Sequence, residues 1–260
     1  MKIALITGAS SGMGREFLKR VASEKQVDEI WAIALEDKFQ ELKEEIHCKL
    51  RFFPCDLTDR KNLEMIKGEL DKTKPEISWL VNASGFGKFG RYDEIPIEST
   101  LNMIDLNVYA LVALTEYCLP YMEKGGRIVE FGSVAAFQPI PYINVYGATK
   151  AFVLNYSLAL GVELKNRKVS VTCVCPFWTK TAFFKRAVDP KNQVVTKYKA
   201  MYNPEDVMNR AFSDAKKRKS ISMFGAYSKF QKFLVGIMPR KWVMNFWVKQ
   251  QKLDKKYKDK

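Results

Sequence analysis

The alternation of short apolar runs with helix-length segments is the feature that most constrains the fold of this chain. Apolar runs rich in β-branched residues occupy positions 3–6, 30–34, 50–55, 77–82, 127–131 and 169–175, with a weaker run at 220–224. Helix-length segments lie between them, at 14–23, 38–46, 60–70, 98–119, 144–165 and 204–216. Nearly all-apolar strands that alternate with helices predict a parallel sheet covered on both faces. We therefore predict a doubly wound α/β sandwich of about seven strands.

Length and composition limit the number of domains and the surroundings of the chain. Its 260 residues, 47% of them hydrophobic, suit one compact domain. No apolar stretch approaches the roughly 20 residues that cross a bilayer, so we expect a cytoplasmic protein. A metal site would need a Cys/His cluster, and His47 is the only histidine. We expect no metal, and we expect the five cysteines to be buried thiols.

A glycine-rich turn follows the first predicted strand and leads into the first predicted helix. It reads Thr7-Gly8-Ala9-Ser10-Ser11-Gly12-Met13-Gly14. Gly8 permits a tight turn, Gly12 lets the backbone approach a pyrophosphate, and Gly14 allows the helix to pack closely on the strand. The helix N-terminus adds N–H donors and a positive dipole. In this position the turn predicts a dinucleotide site.

Tyr146 and Lys150 are four residues apart in a predicted helix, which makes their side chains neighbours on one face. A free phenol has a pKa of about 10, and a neighbouring ammonium favours the phenolate. Tyr146 is then predicted to be the general acid in reduction and the general base in oxidation. The spacing alone arises often by chance, so this assignment depends on the motifs around it.

Together these motifs resemble the short-chain dehydrogenase/reductase family over roughly residues 1–225. The resemblance implies a Rossmann-type sheet and an NAD(P)-dependent reaction that interconverts a secondary alcohol, the CH–OH donor, and a ketone. It implies that Ser133 binds the substrate oxygen and stabilises developing charge there. It also implies that the backbone of Asn107 holds a water in a proton relay ending at Lys150. The expected catalytic residues are Asn107, Ser133, Tyr146 and Lys150.

The resemblance also implies a set of cofactor contacts after successive strands. They are Thr7, Gly8, Ser10, Ser11, Gly12, Met13, Gly14, Glu36, Asp56, Leu57, Asn82, Ala83, Ser84, Tyr146, Lys150, Pro176, Thr179 and Thr181. Asp56 matches the acidic residue at the adenine, and Thr181 matches the threonine at the nicotinamide carboxamide. The chain departs from the family pattern at Leu35, Ala83 and Phe177.

The end of the second predicted strand bears on the choice between NAD and NADP. The discriminating position of the family falls on Leu35, which is neither an acidic nor a basic residue. Glu36 and Asp37 follow it and would repel the extra phosphate of NADP. We therefore expect a preference for NAD, which Arg15 or Lys38 would reverse if either reached the phosphate.

Aromatic residues are dense in the three segments expected to border the nicotinamide. They are Phe86, Phe89, Phe137, Tyr142, Phe177, Trp178, Phe183 and Phe184, with Pro139 among them. Because binding sites are mostly apolar, this density favours a bulky apolar substrate. The hypothesis is a hydroxysteroid-dehydrogenase-like enzyme of lipid metabolism, acting on a steroid, bile acid, fatty-acyl or retinoid-like compound. The alternative is that these aromatics belong to the core or to a subunit interface.

Positive charge is concentrated at the C-terminal end. Residues 181–260 carry 20 Lys/Arg and six Asp/Glu, whereas residues 1–180 are neutral. Within 226–260, apolar residues at helical spacing on both sides of Pro239 predict a basic extension of two short amphipathic helices. The extension could cover the substrate pocket, form a subunit contact or lie on an anionic membrane surface. Nucleic acid is not an expected partner, because no recognition motif accompanies the charge.

Two classes of function are compatible with these features. One is an oxidoreductase; the other is a non-catalytic NAD(P)-binding sensor or scaffold whose basic tail contacts a partner or a membrane. A scaffold needs the glycine-rich turn but not Tyr146 and Lys150 together, so the complete set of catalytic residues favours the enzyme. The family resemblance further implies a homodimer or homotetramer formed through the helices that carry Asn107 and Tyr146.

Overall fold

The computed structural model describes residues 1–35, 39–190 and 193–257, and in them seven parallel strands form one sheet. The strands are β1 (Lys2–Thr7), β2 (Glu29–Ala34), β3 (Lys49–Pro54), β4 (Glu76–Asn82), β5 (Met122–Phe131), β6 (Ser170–Val174) and β7 (Ile221–Ser222). Their order is β3-β2-β1-β4-β5-β6-β7. The chain therefore adds strands on one side of β1 as far as β3, and from β4 onward it adds them on the other side. The point between β1 and β4 is where ligands bind in doubly wound sheets, beside the carboxyl ends of the strands. The predicted fold class is confirmed.

Helices cover both faces of the sheet. They are α1 (Gly12–Ser23), α2 (Phe39–Glu45), α3 (Arg60–Thr73), α4 (Ile97–Ile104), α5 (Leu111–Cys118), α6 (Asn144–Glu163), α7 (Phe183–Ala187), α8 (Pro204–Lys216), α9 (Ala226–Ile237), α10 (Arg240–Gln251) and α11 (Leu253–Lys256). Within the described ranges, no helix is both long and apolar enough to span a membrane.

Side chains of β1 show how the sheet forms two cores. Successive strand residues point to opposite faces, so Ile3 and Leu5 join one apolar cluster while Ala4 and Ile6 join the other. The first cluster includes buried residues of α3, α5 and α6, and the second includes those of α1 and α8. Burial on both faces explains why the central strands are largely apolar.

The segment predicted as one helix at 98–119 is interrupted. Residues Asp105–Ala110 between α4 and α5 form a π-helical turn, and this turn carries Asn107. Such turns are rare and are found mostly at functional sites. The periodicity of apolar residues did not reveal it, because a π turn adds only one residue to an otherwise regular helix.

The C-terminal extension contains the two short helices that its spacing predicts. α9 and α10 are separated at Pro239, which occupies the position just before α10. Proline ends one helix and is compatible with the start of the next, because its fixed φ and missing N–H are tolerated in a first turn.

Candidate active site

The turn between β1 and α1 is shaped by its glycines. Gly8 and Gly12 have φ values of +66° and +55°, a region that side chains disfavour. A Cβ atom on Gly14 would collide with the carbonyl oxygen of Gly8, so the helix packs directly on the turn. Ser11, which precedes α1, makes no side-chain hydrogen bond to the helix. The first-turn N–H groups therefore have no side-chain cap, as an anion-binding helix end requires.

Thr7 links this turn to the end of β4. Its hydroxyl oxygen accepts a hydrogen bond of 3.0 Å from the backbone N–H of Ser84. A Cβ on Gly8 would lie 3.0 Å from the backbone of Ala83 and Ser84, so the two strand ends are in close contact. Ala83 lines the central cavity with Met13 of α1. The structure thus brings the predicted cofactor contacts after β1 and those after β4 together at the switch point.

The loop after β6 reaches the glycine-rich turn from the opposite side. Thr181 would lie 3.7 Å from a Cβ on Gly12, and Pro176, Thr179 and Thr181 all line the cavity. The hydroxyl of Thr179 donates to the carbonyl of Phe177, which fixes the bend of this loop. The residues predicted to flank the nicotinamide therefore face the turn predicted to hold the pyrophosphate.

The predicted cofactor contacts at the ends of β3 and β4 are held by neighbours of their own. The carboxylate of Asp56 accepts hydrogen bonds from the backbone and hydroxyl of Thr58, at 2.9 and 2.8 Å, while Leu57 is buried in the core. Asn82 is also buried, and its amide donates to the Thr115 hydroxyl of α5 at 2.9 Å and to Glu130 of β5 at 3.2 Å rather than lining the cavity. Glu36 lies outside the described residues, as do Asp37 and Lys38.

Arg15 of α1, the residue that could reverse the cofactor preference, is engaged by α2. Its guanidinium contacts Glu41 and Glu45, with N···O distances of 2.9 Å for each pair. The two carboxylates raise the pKa of Arg15, chiefly through the hydrogen bond to Glu45. A second cation, Lys19, also contacts Glu45. In this arrangement the Arg15 guanidinium is paired with two carboxylates at the edge of the predicted cofactor site.

Ser133, Tyr146 and Lys150 converge on the cavity. Ser133 follows β5, where its hydroxyl oxygen accepts a hydrogen bond of 3.1 Å from the Ala135 N–H and caps a short 3-10 turn. The Lys150 ammonium donates to the carbonyl oxygen of Phe131 at 2.6 Å and lies 5.8 Å from the centre of the Tyr146 ring. All three side chains line the same cavity, beside Gly85. A Cβ on Gly85 would lie 3.4 Å from the Lys150 nitrogen, so glycine keeps this space open.

Burial controls the proton affinities of this group. It raises the pKa of Tyr146 to about 12, although the nearby Ser133 hydroxyl lowers that pKa. Burial also lowers the pKa of Lys150 to about 8. The expectation that the ammonium lowers the pKa of the phenol is not met in the chain by itself, since Lys150 bonds to the carbonyl of Phe131 instead. Tyr146 accordingly holds its proton at neutral pH and can donate it.

Asn107 positions the loop after β4 against α6. It is completely buried, and its amide oxygen accepts from the Phe86 N–H at 3.1 Å. Its amide nitrogen donates to the Phe86 carbonyl at 2.9 Å and to the Thr149 hydroxyl at 3.1 Å. Because Thr149 precedes Lys150, the π turn, the loop and the predicted catalytic helix are joined at one side chain.

Glu130 is a buried carboxyl that the sequence motifs did not identify. It lies on β5 opposite Asn82 of β4, and its Oε1 accepts from the Asn82 amide at 3.2 Å and the Thr115 hydroxyl at 3.0 Å. Its second oxygen has no hydrogen-bond partner in the described part of the chain. Burial raises its pKa to about 7, while the Lys150 charge acts in the opposite direction. The sequence does contain a signal, since Glu130 is the one acidic residue within the apolar run at 127–131.

A cavity of about 450 Å³ extends from Met13 and Ala83 past Ser133 and Tyr146 into an apolar chamber. Five of the predicted aromatic residues line it, namely Phe89, Phe177, Trp178, Phe183 and Phe184. The extension also contributes, through Tyr227, Phe230, Leu234, Val235 and Met238 of α9 and its C-cap, and Val243, Phe246 and Trp247 of α10. The sequence did not indicate which residues of the extension would face the cavity.

Other predicted aromatic residues lie outside the cavity, which corrects the sequence-based hypothesis for them. Phe86 packs beneath the Arg186 guanidinium, 3.8 Å from its ring centre, and Phe137 lies beneath Lys232. Tyr142 stacks on Tyr257 with ring centres 4.9 Å apart. Pro139 is likewise absent from the lining. For these residues the interpretation as packing residues is the better one.

Comparisons with known proteins agree with this geometry. A family model described as short chain dehydrogenase matches residues 2–192. Sulfoacetaldehyde reductase 2 of Chromohalobacter salexigens is 34% identical over 191 residues, which cover 70% of this chain and 74% of that protein. A short-chain dehydrogenase from Sphingobium yanoikuyae in complex with NADPH superposes with a TM-score of 0.75 at 25% identity, covering 92% of this chain and 97% of that one. The bulky-bulky ketone specific alcohol dehydrogenase from Comamonas testosteroni gives 0.71 at 25% identity, with coverages of 92% and 96%.

Proposed function

Because the chain belongs to the short-chain dehydrogenase family, we propose that it interconverts a bulky apolar secondary alcohol and the corresponding ketone. As a member, it is an oxidoreductase that uses a nicotinamide cofactor on alcohol or carbonyl groups. The observation that carries the proposal is the apolar chamber beside Ser133 and Tyr146. Aromatic rings from residues 1–225 and side chains of α9 and α10 line this chamber. A steroid or bile-acid ketone is the substrate class that we favour.

The residues present fit a nicotinamide dinucleotide. Gly8 and Gly12 have positive φ and no side chains, which leaves the backbone open to a ligand at these two positions, and the cavity continues from this turn to Ser133 and Tyr146. We propose that residues 7–14, the ends of β3 and β4, and the loop from Pro176 to Thr181 hold the cofactor. When bound, the cofactor supplies the hydride in reduction and accepts it in oxidation.

Chain residues supply the proton chemistry in this proposal. In reduction, the Tyr146 hydroxyl donates its proton to the substrate oxygen, and in oxidation the phenolate takes that proton back. The Ser133 hydroxyl donates a hydrogen bond to the same oxygen and stabilises the charge that develops there. Lys150 stabilises the phenolate when Tyr146 has lost its proton. Asn107 holds the loop and α6 in place, and we propose that its backbone carries the water of the relay.

We propose a preference for NAD over NADP. Arg15, the described cation nearest to the glycine-rich turn in sequence, is held by Glu41 and Glu45. A ribose phosphate would have to displace those carboxylates and would be repelled by them. The Sphingobium yanoikuyae structure contains NADPH, so measurements with both cofactors are needed for this chain.

We propose that residues 1–225 form the cofactor-binding unit and that residues 226–260 complete the substrate chamber. We also propose that the chain forms a homodimer through α4, α5 and α6. Exposed apolar side chains on α4, on α6 and on the π turn after α4 support the dimer, because Leu101, Ile104, Tyr109 and Phe152 are each at least 40% exposed.

The test is a substrate panel followed by absorbance of the reduced nicotinamide. It contains steroid and bile-acid ketones and alcohols, with sulfoacetaldehyde, serine and short alcohols as polar comparators, each assayed with both cofactors. We expect kcat/KM to be at least a hundredfold higher for the bulky apolar compounds. Activity confined to the small polar compounds would contradict the proposed substrate class while leaving the family assignment intact.

A further inference from the structure

The outward surface of α9 and α10 carries large apolar side chains, which we call the C-terminal ridge. The exposed fractions are 57% for Phe230, 63% for Phe233, 65% for Ile237, 65% for Trp242 and 61% for Phe246. The first three recur on one face of α9, and the last two are one turn apart on α10. An ordinary surface helix is apolar only on its inward face. These helices are apolar on the cavity side as well as on the ridge.

Cations surround the ridge without acidic partners. Residues 226–252 contain six Lys/Arg and no Asp or Glu. Lys229, Arg240, Lys241, Lys249 and Lys252 are exposed. Within the described ranges, no ion pair involves any of these five side chains. Lys199 adds another exposed cation, 5.9 Å from the centre of the Phe246 ring.

We propose that the C-terminal ridge docks on the surface of an anionic lipid bilayer. Aromatic and aliphatic side chains opposite or between cations are typical of helices that lie in the interfacial plane. Tryptophan is favoured at the level of the headgroups, and nearby Lys and Arg are attracted to anionic lipids. A second copy of the chain is a poorer occupant, because a symmetric contact would bring two like-charged surfaces together.

Docking through the ridge would place the substrate chamber against the lipid. Phe230 and Phe246 belong to the ridge and also line the chamber, so the two apolar regions meet between α9 and α10. A substrate dissolved in the bilayer could then enter without crossing water. This consequence rests on the proposed apolar substrate, whereas docking itself does not.

Co-sedimentation of the full chain with vesicles tests the docking. The vesicles are phosphatidylglycerol mixed with phosphatidylcholine, or phosphatidylcholine alone, at low and high salt. We expect binding only to the anionic vesicles, and weaker binding at high salt. The variant F233S/I237S/W242S should reduce the partition coefficient at least tenfold, because these side chains supply the apolar contact but do not line the chamber.

The matched control removes three exposed apolar side chains elsewhere. M65S/Y92S/V162S changes residues that are 48%, 80% and 74% exposed, and it should bind vesicles like the natural chain. A second pair compares K229E/K241E/K249E, which should lose binding, with the charge-preserving arginine substitutions, which should keep it. Circular dichroism and thermal midpoints establish that each variant is folded.

Three results would overturn the proposal. They are no binding of the natural chain to anionic vesicles, equal binding by F233S/I237S/W242S, or self-association in lipid-free buffer that this variant abolishes. The last result would assign the ridge to a second copy of the chain. Activity on a water-soluble ketone should survive the ridge substitutions. Failure of the substrate panel with intact vesicle binding would reject the proposed substrate and leave the docking in place.

Discussion

The hydroxyl of Tyr146 is the group on which the proposed chemistry depends. Replacement by phenylalanine removes the proton donor but keeps the ring in the cavity. We expect turnover to fall by roughly 10³-fold, in the range of general acid–base contributions. Cofactor affinity, measured by fluorescence titration with the reduced nicotinamide, should change less than threefold.

A matched control for this substitution is Tyr142→Phe. Tyr142 stacks on Tyr257 and does not line the cavity, so its hydroxyl should have no part in turnover. If Tyr146→Phe kept more than a tenth of the natural kcat, Tyr146 would not be the proton donor.

Because the Glu130 carboxyl is buried, we expect the free energy of unfolding to depend on pH. Burial raises its pKa from the ordinary value of 4.5 to about 7, so the folded state binds this proton more tightly than the unfolded state does. The resulting stabilisation is complete below about pH 4.5 and is lost as pH rises through 7. Glu130→Gln abolishes the titration and keeps the size of the side chain. We expect a smaller fall in thermal midpoint from pH 5.5 to pH 8 than in the natural chain, measured by scanning calorimetry.

Glu163→Gln is the control for that measurement. Glu163 is exposed at the end of α6, so its loss should leave the pH dependence of the midpoint unchanged. Identical pH profiles for the natural chain and Glu130→Gln would show that Glu130 does not hold a proton in the folded state.

At the level of single residues, the sequence motifs indicated which side chains meet at the candidate site, but they did not indicate the pKa values of those side chains. The convergence of Ser133, Tyr146 and Lys150 could be anticipated, because their spacing relative to β5 places them at one edge of the sheet. The pKa of Tyr146 could not be anticipated from the sequence. It depends on how deeply the phenol is buried and on the hydrogen bond that Lys150 donates to the Phe131 carbonyl. Pairing of Glu130 with Asn82 depends on strand register, which local sequence does not specify.

Among the elements, the contact between α1 and α2 bears on cofactor choice. Glu41→Gln with Glu45→Gln removes both carboxylates that hold Arg15. We expect the free guanidinium to favour a ribose phosphate, raising the ratio of kcat/KM for NADPH to that for NADH by about tenfold. The control is Glu44→Gln on the same helix. An unchanged ratio would show that Arg15 does not reach the ribose of the cofactor.

The ends of a helix or strand could be predicted where the same apolar spacing continued along the whole element, and could not where that spacing was interrupted. α8 begins and ends as its spacing predicts, whereas β5 begins five residues before the predicted run. Its first residues, Met122 to Gly126, include Glu, Lys and two Gly, so they lack the apolar pattern of a buried strand. α7 has only five residues, too few for a helical period to be recognised.

At the scale of the whole molecule, two exposed apolar faces differ in charge. The C-terminal ridge is surrounded by cations, whereas the segment 97–118, from α4 to α5, contains three acidic residues and no Lys or Arg. Leu101 on α4 and Phe152 on α6 are 52% and 43% exposed on that second face. The three carboxylates of this segment are fewer than the six cations of the ridge, so like-charge repulsion opposes a two-fold contact less here than at the ridge.

Charged substitutions placed on one face at a time distinguish the roles of the two faces. Leu101→Lys with Phe152→Lys introduces charges at the proposed dimer contact, and we expect sedimentation velocity to show a change from twice the chain mass to a single chain of 30.0 kDa. Phe233→Lys with Ile237→Lys, the control on the ridge, should leave the dimer unchanged, because the proposed partner of the ridge is lipid and not another copy. A monomeric natural chain would contradict the dimer. Dissociation by the ridge substitutions alone would exchange the roles of the two faces.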